Sequence, residues 1–283
     1  MDRKLLSLFG LKFNPFSQEV PTEALLATPR VEHFNWRVEN LAREGGFAMA
    51  TGKAGEGKSA ALRLLADRLS ALVDVRVGVI SRPQGGVADF YRELGDLFGV
   101  QLTPHNRWAG AKVLRRGWLA HIEQSLFRPV LLVDEAQEMV TATLTELKLL
   151  SSACLDSKML LTVVLAGDQR LPKRFRSEDL LPLGSRMQVR LLLEPATRDE
   201  LLGCLQHRLK TAGNPKLITP DLQRTLCEHA AGNYRTLLNL AGELLAAGVQ
   251  QEVRQLDEKL FLEVFTVPKP SKPKPPNNPK RRR

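Results

Sequence analysis

The sequence predicts an α/β protein: a parallel sheet flanked by helices, with a small C-terminal helical domain. Three observations carry this expectation. Strand-like and helix-like segments alternate up to about residue 195, which is the βαβ pattern. Two of the strand segments, in RPVLLVDEAQ (128–137) and LLTVVLAG (160–167), are continuously apolar, as strands buried on both faces are. After Pro195 only helical patterns remain.

The elements follow in order. Residues 1–30 read as a loop-rich entry segment carrying Phe9, Phe13 and Phe16, and residues 31–44 as a helix. FAMATG (47–52) is a short apolar run ending in glycine, suited to a strand that feeds a glycine-rich loop. SAALRLLADRLSAL (59–72) places Leu62, Leu65, Leu69 and Leu72 at three- and four-residue spacing, a helical stripe. VRVGVIS (75–81) alternates as a second strand, and VADFYRELGDLFG (87–99) is a helix stopped at Gly99. Further helices are expected over 107–127 and 141–153, and a last strand over 187–195. In the C-terminal part, TRDE (197–200) is a capping box that opens a helix. TPD (219–221) sets Thr219 as cap with Pro220 in the first turn of the next. NYRTLLNLAGELLAAG (233–248) and the segment to Phe265 supply two more. The predicted organisation is an entry segment (1–30), an α/β core (31–195), a helical domain (196–266) and a basic Pro-rich tail (267–283).

Composition narrows the classes. Hydrophobic residues make up 43% and charged residues 25%, an ordinary water-facing balance. No run of 18 apolar residues occurs, and the N-terminus lacks a signal-peptide pattern, so a cytoplasmic protein without membrane contact is expected. Cys154, Cys204 and Cys227 have no metal-ligand spacing and fit reduced core thiols. The net charge is +10, but the tail holds four Lys, three Arg and no acid; +10 less this +7 leaves +3 for the rest. Polyanion binding by the folded part therefore needs a local patch. The tail cannot bury apolar area and is expected to be disordered, as a solubilising extension or a nonspecific nucleic-acid contact.

GKAGEGKS (52–59) matches G-x-x-x-x-G-K-[ST] between a predicted strand and a predicted helix. Backbone N–H groups from Gly52 through Lys53, Ala54, Gly55, Glu56 and Gly57 to Ala60 would turn towards phosphate oxygens. Lys58 would reach the β- and γ-phosphates, and Ser59 would bind Mg²⁺. LLVDEAQ (131–137) puts acids at the C-terminal end of a buried strand, where α/β sheets bind ligands. Asp134 would hold the metal through water, and Glu135 would orient or deprotonate an attacking water. Asp168 follows the strand expected beside the metal-binding one; it would position water or simply cap the next turn. Arg186 precedes the last strand, where a neighbouring subunit would present it to a γ-phosphate in trans, with Arg170, Lys173, Arg174 and Arg176 as rivals. Arg235, opening a helix of the C-terminal bundle, would touch the nucleotide when the bundle closes.

These motifs make the chain resemble the AAA+ P-loop ATPases over nearly all of residues 1–265. GLKFNPF, ATPRVEHFNWRVENLAREGGFAMATGKAGEGKS, RPVLLVDEAQEM and LTVVLAGDQRL resemble the ExeA-like group in particular. That group includes secretion-assembly proteins, and ATPases of mobile elements similar in role to the MuB, TnsC and IstB transposition regulators. The resemblance implies ATP and Mg²⁺ as cofactors, a helical lid, and the roles above for Lys58, Ser59, Asp134 and Glu135. It implies that Asn14 to Phe16 lie near the adenine. Asp168 stands where the family more often has Asn or Gln.

The output has two readings. The secretion members continue into a membrane helix and a cell-wall-binding domain, which this sequence does not show. The transposition members contact DNA, and the helix after Pro104 offers a means. Lys112, Arg115 and Arg116 share one face while Ala111, Leu114 and Trp118 share another. That basic face is either a solvated surface or, repeated in a ring or filament, a track for a duplex backbone. The expectation is an ATPase that oligomerises on double-stranded DNA and recruits or activates a transposase. The alternative is a nucleotide-gated scaffold in secretion-complex assembly, without DNA.

Overall fold

The computed structural model of the chain describes residues 2–100, 107–153 and 157–265. Cys154, Pro104 and the basic tail lie outside the described residues. The chain begins with α1 (Asp2–Phe9) and α2 (Pro29–Glu44), then β1 (Gly46–Thr51), α3 (Lys58–Ser70) and β2 (Val75–Ile80). Next come α4 (Val87–Phe98), α5 (Arg107–Glu123), β3 (Arg128–Val133) and α6 (Thr141–Ser151). A small antiparallel pair follows, β4 (Ser152–Ala153) with β5 (Lys158–Met159). β6 (Thr162–Gly167), the short helices α7 (Arg170–Arg174) and α8 (Leu181–Gly184), and β7 (Met187–Leu192) complete the α/β part. Four helices end the described chain: α9 (Arg198–Ala212), α10 (Pro220–Ala230), α11 (Tyr234–Gln251) and α12 (Glu258–Phe265).

The main sheet is parallel, in the order β2-β3-β6-β1-β7. The alternation of side chains along each strand feeds two cores. Phe47 and Met49 of β1, Leu131 and Val133 of β3, and Val163 and Leu165 of β6 pack under α4, α5 and α6. Ala48 and Ala50, Val130 and Leu132, and Val164 and Ala166 face α2 and α3. β1, the last five residues of β3, and β6 are buried along their length, which is why they carry no polar alternation.

A third core belongs to the C-terminal helices, built on Leu201, Leu205 and Leu209 of α9, Leu222 and Leu226 of α10, and Leu237, Leu244 and Leu245 of α11. Thr197 makes the capping box with Glu200, and Thr219 caps α10 with Pro220 in the first turn.

The entry segment departs from expectation. Residues 2–9 are a helix, not a loop, and Leu5 and Phe9 are buried in the C-terminal core. Eight residues cannot hold a helix alone. Two buried side chains worth about 1.5–3 kcal/mol each supply the missing stability. α5 ends at Glu123 rather than 127, where Ser125 takes a left-handed conformation. Residues 152–153 leave the helix to form β4.

Phe9→Ala is expected to cost the C-terminal helical core about 3–5 kcal/mol of stability. A lowered urea midpoint and early proteolysis within α1 would report it.

Candidate nucleotide site

Three strand ends meet at the C-terminal edge of the sheet. β1 stops at Thr51 and the glycine-rich loop begins at Gly52; β3 stops at Val133, one residue before Asp134; β6 stops at Gly167, one before Asp168. β6 lies between the other two, so the loop and α3 must lean across its end to reach β3. They do: the Ser59 hydroxyl donates to Asp134 Oδ2 at 2.8 Å.

The loop is held open by its own chain. Gly55 and Gly57 are left-handed, with φ of 83° and 94°, and Gly57 caps α3 without a side chain. The first N–H groups of α3 therefore lack a side-chain partner, the arrangement that attracts phosphate. Lys58, 7% exposed, donates through Nζ to the carbonyls of Gly52 at 3.1 Å and Lys53 at 2.9 Å. The buried Glu56 carboxylate accepts from the Lys53 N–H.

Behind the loop lies a cavity of about 540 Å³. Its lining includes Ala54 to Ala61, Glu135, Asp168 and Arg235, and a more apolar end formed by Phe16, Leu25, Leu26 and Leu64. Lys58, Ser59, Glu135, Asp168 and Arg235 thus come together as the sequence suggested. Asp134 bonds to Ser59 at its edge. A hydroxyl and a carboxylate 2.8 Å apart beside a phosphate loop form an all-oxygen pair that fits Mg²⁺, which prefers oxygen ligands and keeps several waters.

Several site residues were not legible in the sequence. Gln137, buried, donates to the Glu135 carboxylate and accepts from the Asp168 N–H at 3.0 Å, so one amide joins the ends of β3 and β6. The Asp168 carboxylate accepts from Arg170, whose other end meets Glu138 at 2.6 Å. Asp168 therefore caps its turn as well as lining the cavity. Arg174 donates to the carbonyls of Gln137 and Met139 at 2.7 and 2.6 Å. Both arginines are thus bound within their own chain. Arg186 is half-buried just before β7 and lies outside the cavity lining.

The C-terminal helices dock on the loop through the start of α11. Asn233 Nδ2 donates to Ala54 O at 2.9 Å, and the Tyr234 N–H donates to Gly55 O at 3.0 Å. Arg235 is the next residue, exposed and in the cavity wall. On α9, burial pushes the Arg208 guanidinium below its ordinary range and the neighbouring Cys204 thiol above its own. Both line the cavity.

The basic face of α5 is less uniform than its spacing implied. Lys112 and Arg116 are exposed, whereas Arg115 is half-buried with its Nε shielded and unpartnered. Leu114 and Trp118 are buried, as expected for the opposite face, with Trp118 edge-on to Phe98.

Residues 41–175 match the family described as AAA domain. The fold is that of a P-loop AAA+ protein. It is 31% identical over 241 residues to general secretion pathway protein A of Aeromonas hydrophila. That match covers 82% of this chain and 42% of the relative, so the chain spans less than half the relative's length. The two similarities support the ExeA-like group. Among solved structures, Cdc6p of Pyrobaculum aerophilum superposes with a TM-score of 0.70 at 15% identity, over 89% of this chain and 71% of that one. The Aeropyrum pernix ORC1 protein in complex with DNA gives 0.67 at 19%, over 93% and 68%. The Thermotoga maritima RuvB Holliday junction branch migration motor gives 0.55 at 15%, over 85% and 69%. These likenesses show the AAA+ P-loop fold. Among the described residues no helix is long and apolar enough to cross a membrane.

Gly55→Ala puts a Cβ on a left-handed residue, 2.2 Å from Asn233 Oδ1. It should weaken nucleotide binding at least tenfold. Asn233→Ala, which removes the hydrogen bond to Ala54 O and the cap on the Thr236 N–H of α11, should cost about fivefold. Titration with a fluorescent ATP analogue would rank the two.

Proposed function

We propose that the protein is an ATP-hydrolysing AAA+ switch that oligomerises on double-stranded DNA and recruits or activates a transposase. The observation that carries the ATPase part is the Ser59–Asp134 contact beside the loop and its cavity. In this reading Lys58 exchanges the Gly52 and Lys53 carbonyls for the β- and γ-phosphates. Ser59 and Asp134 hold Mg²⁺, which neutralises charge on the phosphates when bound. Glu135 activates the water and Asp168 orients it. Arg235 contacts the nucleotide from the lid, and Arg186 reaches the γ-phosphate of a neighbouring subunit in trans.

The DNA part rests on the exposed Lys112 and Arg116 of α5, a repeating basic contact in any ring or filament. It draws further support from the DNA-bound ORC1 of the same fold. A second reading, a nucleotide-gated scaffold in secretion-complex assembly, is favoured by the similarity to general secretion pathway protein A.

Glu135→Gln should lower turnover about 10²–10⁴-fold while ATP still binds, and should trap a long-lived complex with duplex DNA. Gel shift with and without ATP reads the second effect; duplex binding indifferent to nucleotide would remove the DNA reading. Lys112→Glu with Arg116→Glu should weaken DNA binding and flatten its salt dependence, with ATP affinity unchanged. These two positions are the better choice because both are exposed, whereas Arg115 is half-buried.

A further inference from the structure

A second cavity, of about 650 Å³, is lined by α5 and α6 together with Ala153 of β4 and Leu160. It shares no lining residue with the cavity behind the phosphate loop. Along α5 its lining runs from Ala109 to Leu119, which is about 15 Å of helix. About five residues of extended chain span that length. Much of the wall is apolar, with Leu119 on α5 facing Leu149 of α6. Leu149 is 45% exposed, a large apolar side chain left in the open side of a groove.

The charges along the groove do not balance. Lys112, Arg115 and Arg116 stand against a single acid among the described lining residues, Glu146. Glu146 is 2% exposed, and its carboxylate accepts from the buried Tyr91 hydroxyl at 2.7 Å. Among the described residues, none of the three cations has an ion-pair partner. Arg115 is half-buried, and its Nε is shielded from water without an acceptor. A desolvated guanidinium N–H left unpaired is costly, and a carboxylate brought in by a ligand would satisfy it with a charge-assisted bond. A duplex backbone would answer the cations but would leave Leu149 and its apolar neighbours facing phosphates and water. The groove is complementary to apolar side chains set beside carboxylates.

We propose that the groove between α5 and α6 docks a short acidic segment of a partner protein, which lays apolar side chains over Leu119 and Leu149 and sets a carboxylate against Arg115. Its length and its open side suit a stretch of polypeptide laid along the helices. Lys112 and Arg116, on the exposed rim, steer the acidic segment in. The duplex contact proposed above uses that rim alone and not the apolar wall. Occupancy of the groove goes beyond that contact and does not depend on it.

The test is selection of a random peptide library, displayed on phage, against the full chain, followed by fluorescence anisotropy of the most enriched peptide labelled with fluorescein. The enriched sequences should combine acidic with large apolar residues. Leu149→Ser should weaken the peptide about tenfold, the loss expected when a partner no longer buries a leucine. Arg115→Gln should weaken it by about as much. Changing the peptide's acids to amides should cost wild type a similar factor and cost the Arg115→Gln variant little more, because one contact is removed twice. Leu149 is exposed, and unchanged affinity of Leu149→Ser for the fluorescent ATP analogue checks that the fold is intact. Binding of duplex DNA should be the same in wild type and Leu149→Ser. A library with no enriched peptide, enriched peptides without acids, or affinity indifferent to both substitutions would overturn the docking site. Equal loss of peptide and duplex in Leu149→Ser would make the apolar wall part of a nucleic-acid surface and overturn a protein partner.

Discussion

The arrangement depends on one constraint: β6 is inserted between β1 and β3. That order forces the phosphate loop and the acidic end of β3 to communicate over the end of a third strand. Ser59 makes the crossing and meets Asp134. Because all three strands are parallel, their C-terminal ends lie on one edge, and every polar group there is available to one ligand. An antiparallel β6 would send Asp168 to the opposite edge. Apart from Thr51 and Thr162 the buried lengths of β1, β3 and β6 carry no polar side chain, so the charged groups are confined to the first residues beyond them.

Around that crossing, the groups joining the strand ends are paired with one another. Gln137 links Glu135 to the Asp168 backbone, Arg170 links Asp168 to Glu138, and Arg174 fastens the carbonyls of Gln137 and Met139. Glu135 itself adopts a left-handed conformation, with φ of 51°. For a residue other than glycine this is a strained backbone, kept only where surrounding bonds over-determine it. The bonds from Gln137 and to the Asp134 carboxylate supply that determination. The carboxylate that would activate water is thus aimed by its neighbours before any ligand arrives.

What the sequence disclosed and what it withheld divide along range of interaction. The loop, its glycines, the helix caps at Thr197 and Thr219 and the apolar strands are local patterns. Each follows from φ preference, capping chemistry or burial on two faces. Asp168 was legible because it follows a continuously apolar strand, and Arg235 because it opens a helix of the C-terminal bundle. Gln137, Asn233, Arg63 and Arg208 were not, because each acts on backbone atoms of a distant segment. A glutamine two residues past an acid, or an arginine in a helix, has no periodic signature. α1 was missed for a related reason. Its helical stability comes from Leu5 and Phe9 docking on residues about 200 positions later, and propensity within eight residues does not register that.

The same division bears on how nucleotide state would reach the basic face of α5. α5 and α6 pack together in the core that also holds Leu131 and Val133 of β3. α6 begins at Thr141, whose hydroxyl meets Arg174, and Arg174 also grips the carbonyls on either side of Glu138. A shift of Glu135 and Gln137 on binding a triphosphate would therefore act on the first turn of α6 through rigid, hydrogen-bonded backbone. α5 would receive it as a change in packing rather than as a charge felt at a distance. On the proposed reading this matters, because exposed lysine and arginine on α5 would bind a duplex whether or not nucleotide were present unless packing moved them. In that reading α5 leans on the helix that follows Glu135, which gives a mechanical route between the two, and electrostatics alone would not supply one across a screened surface.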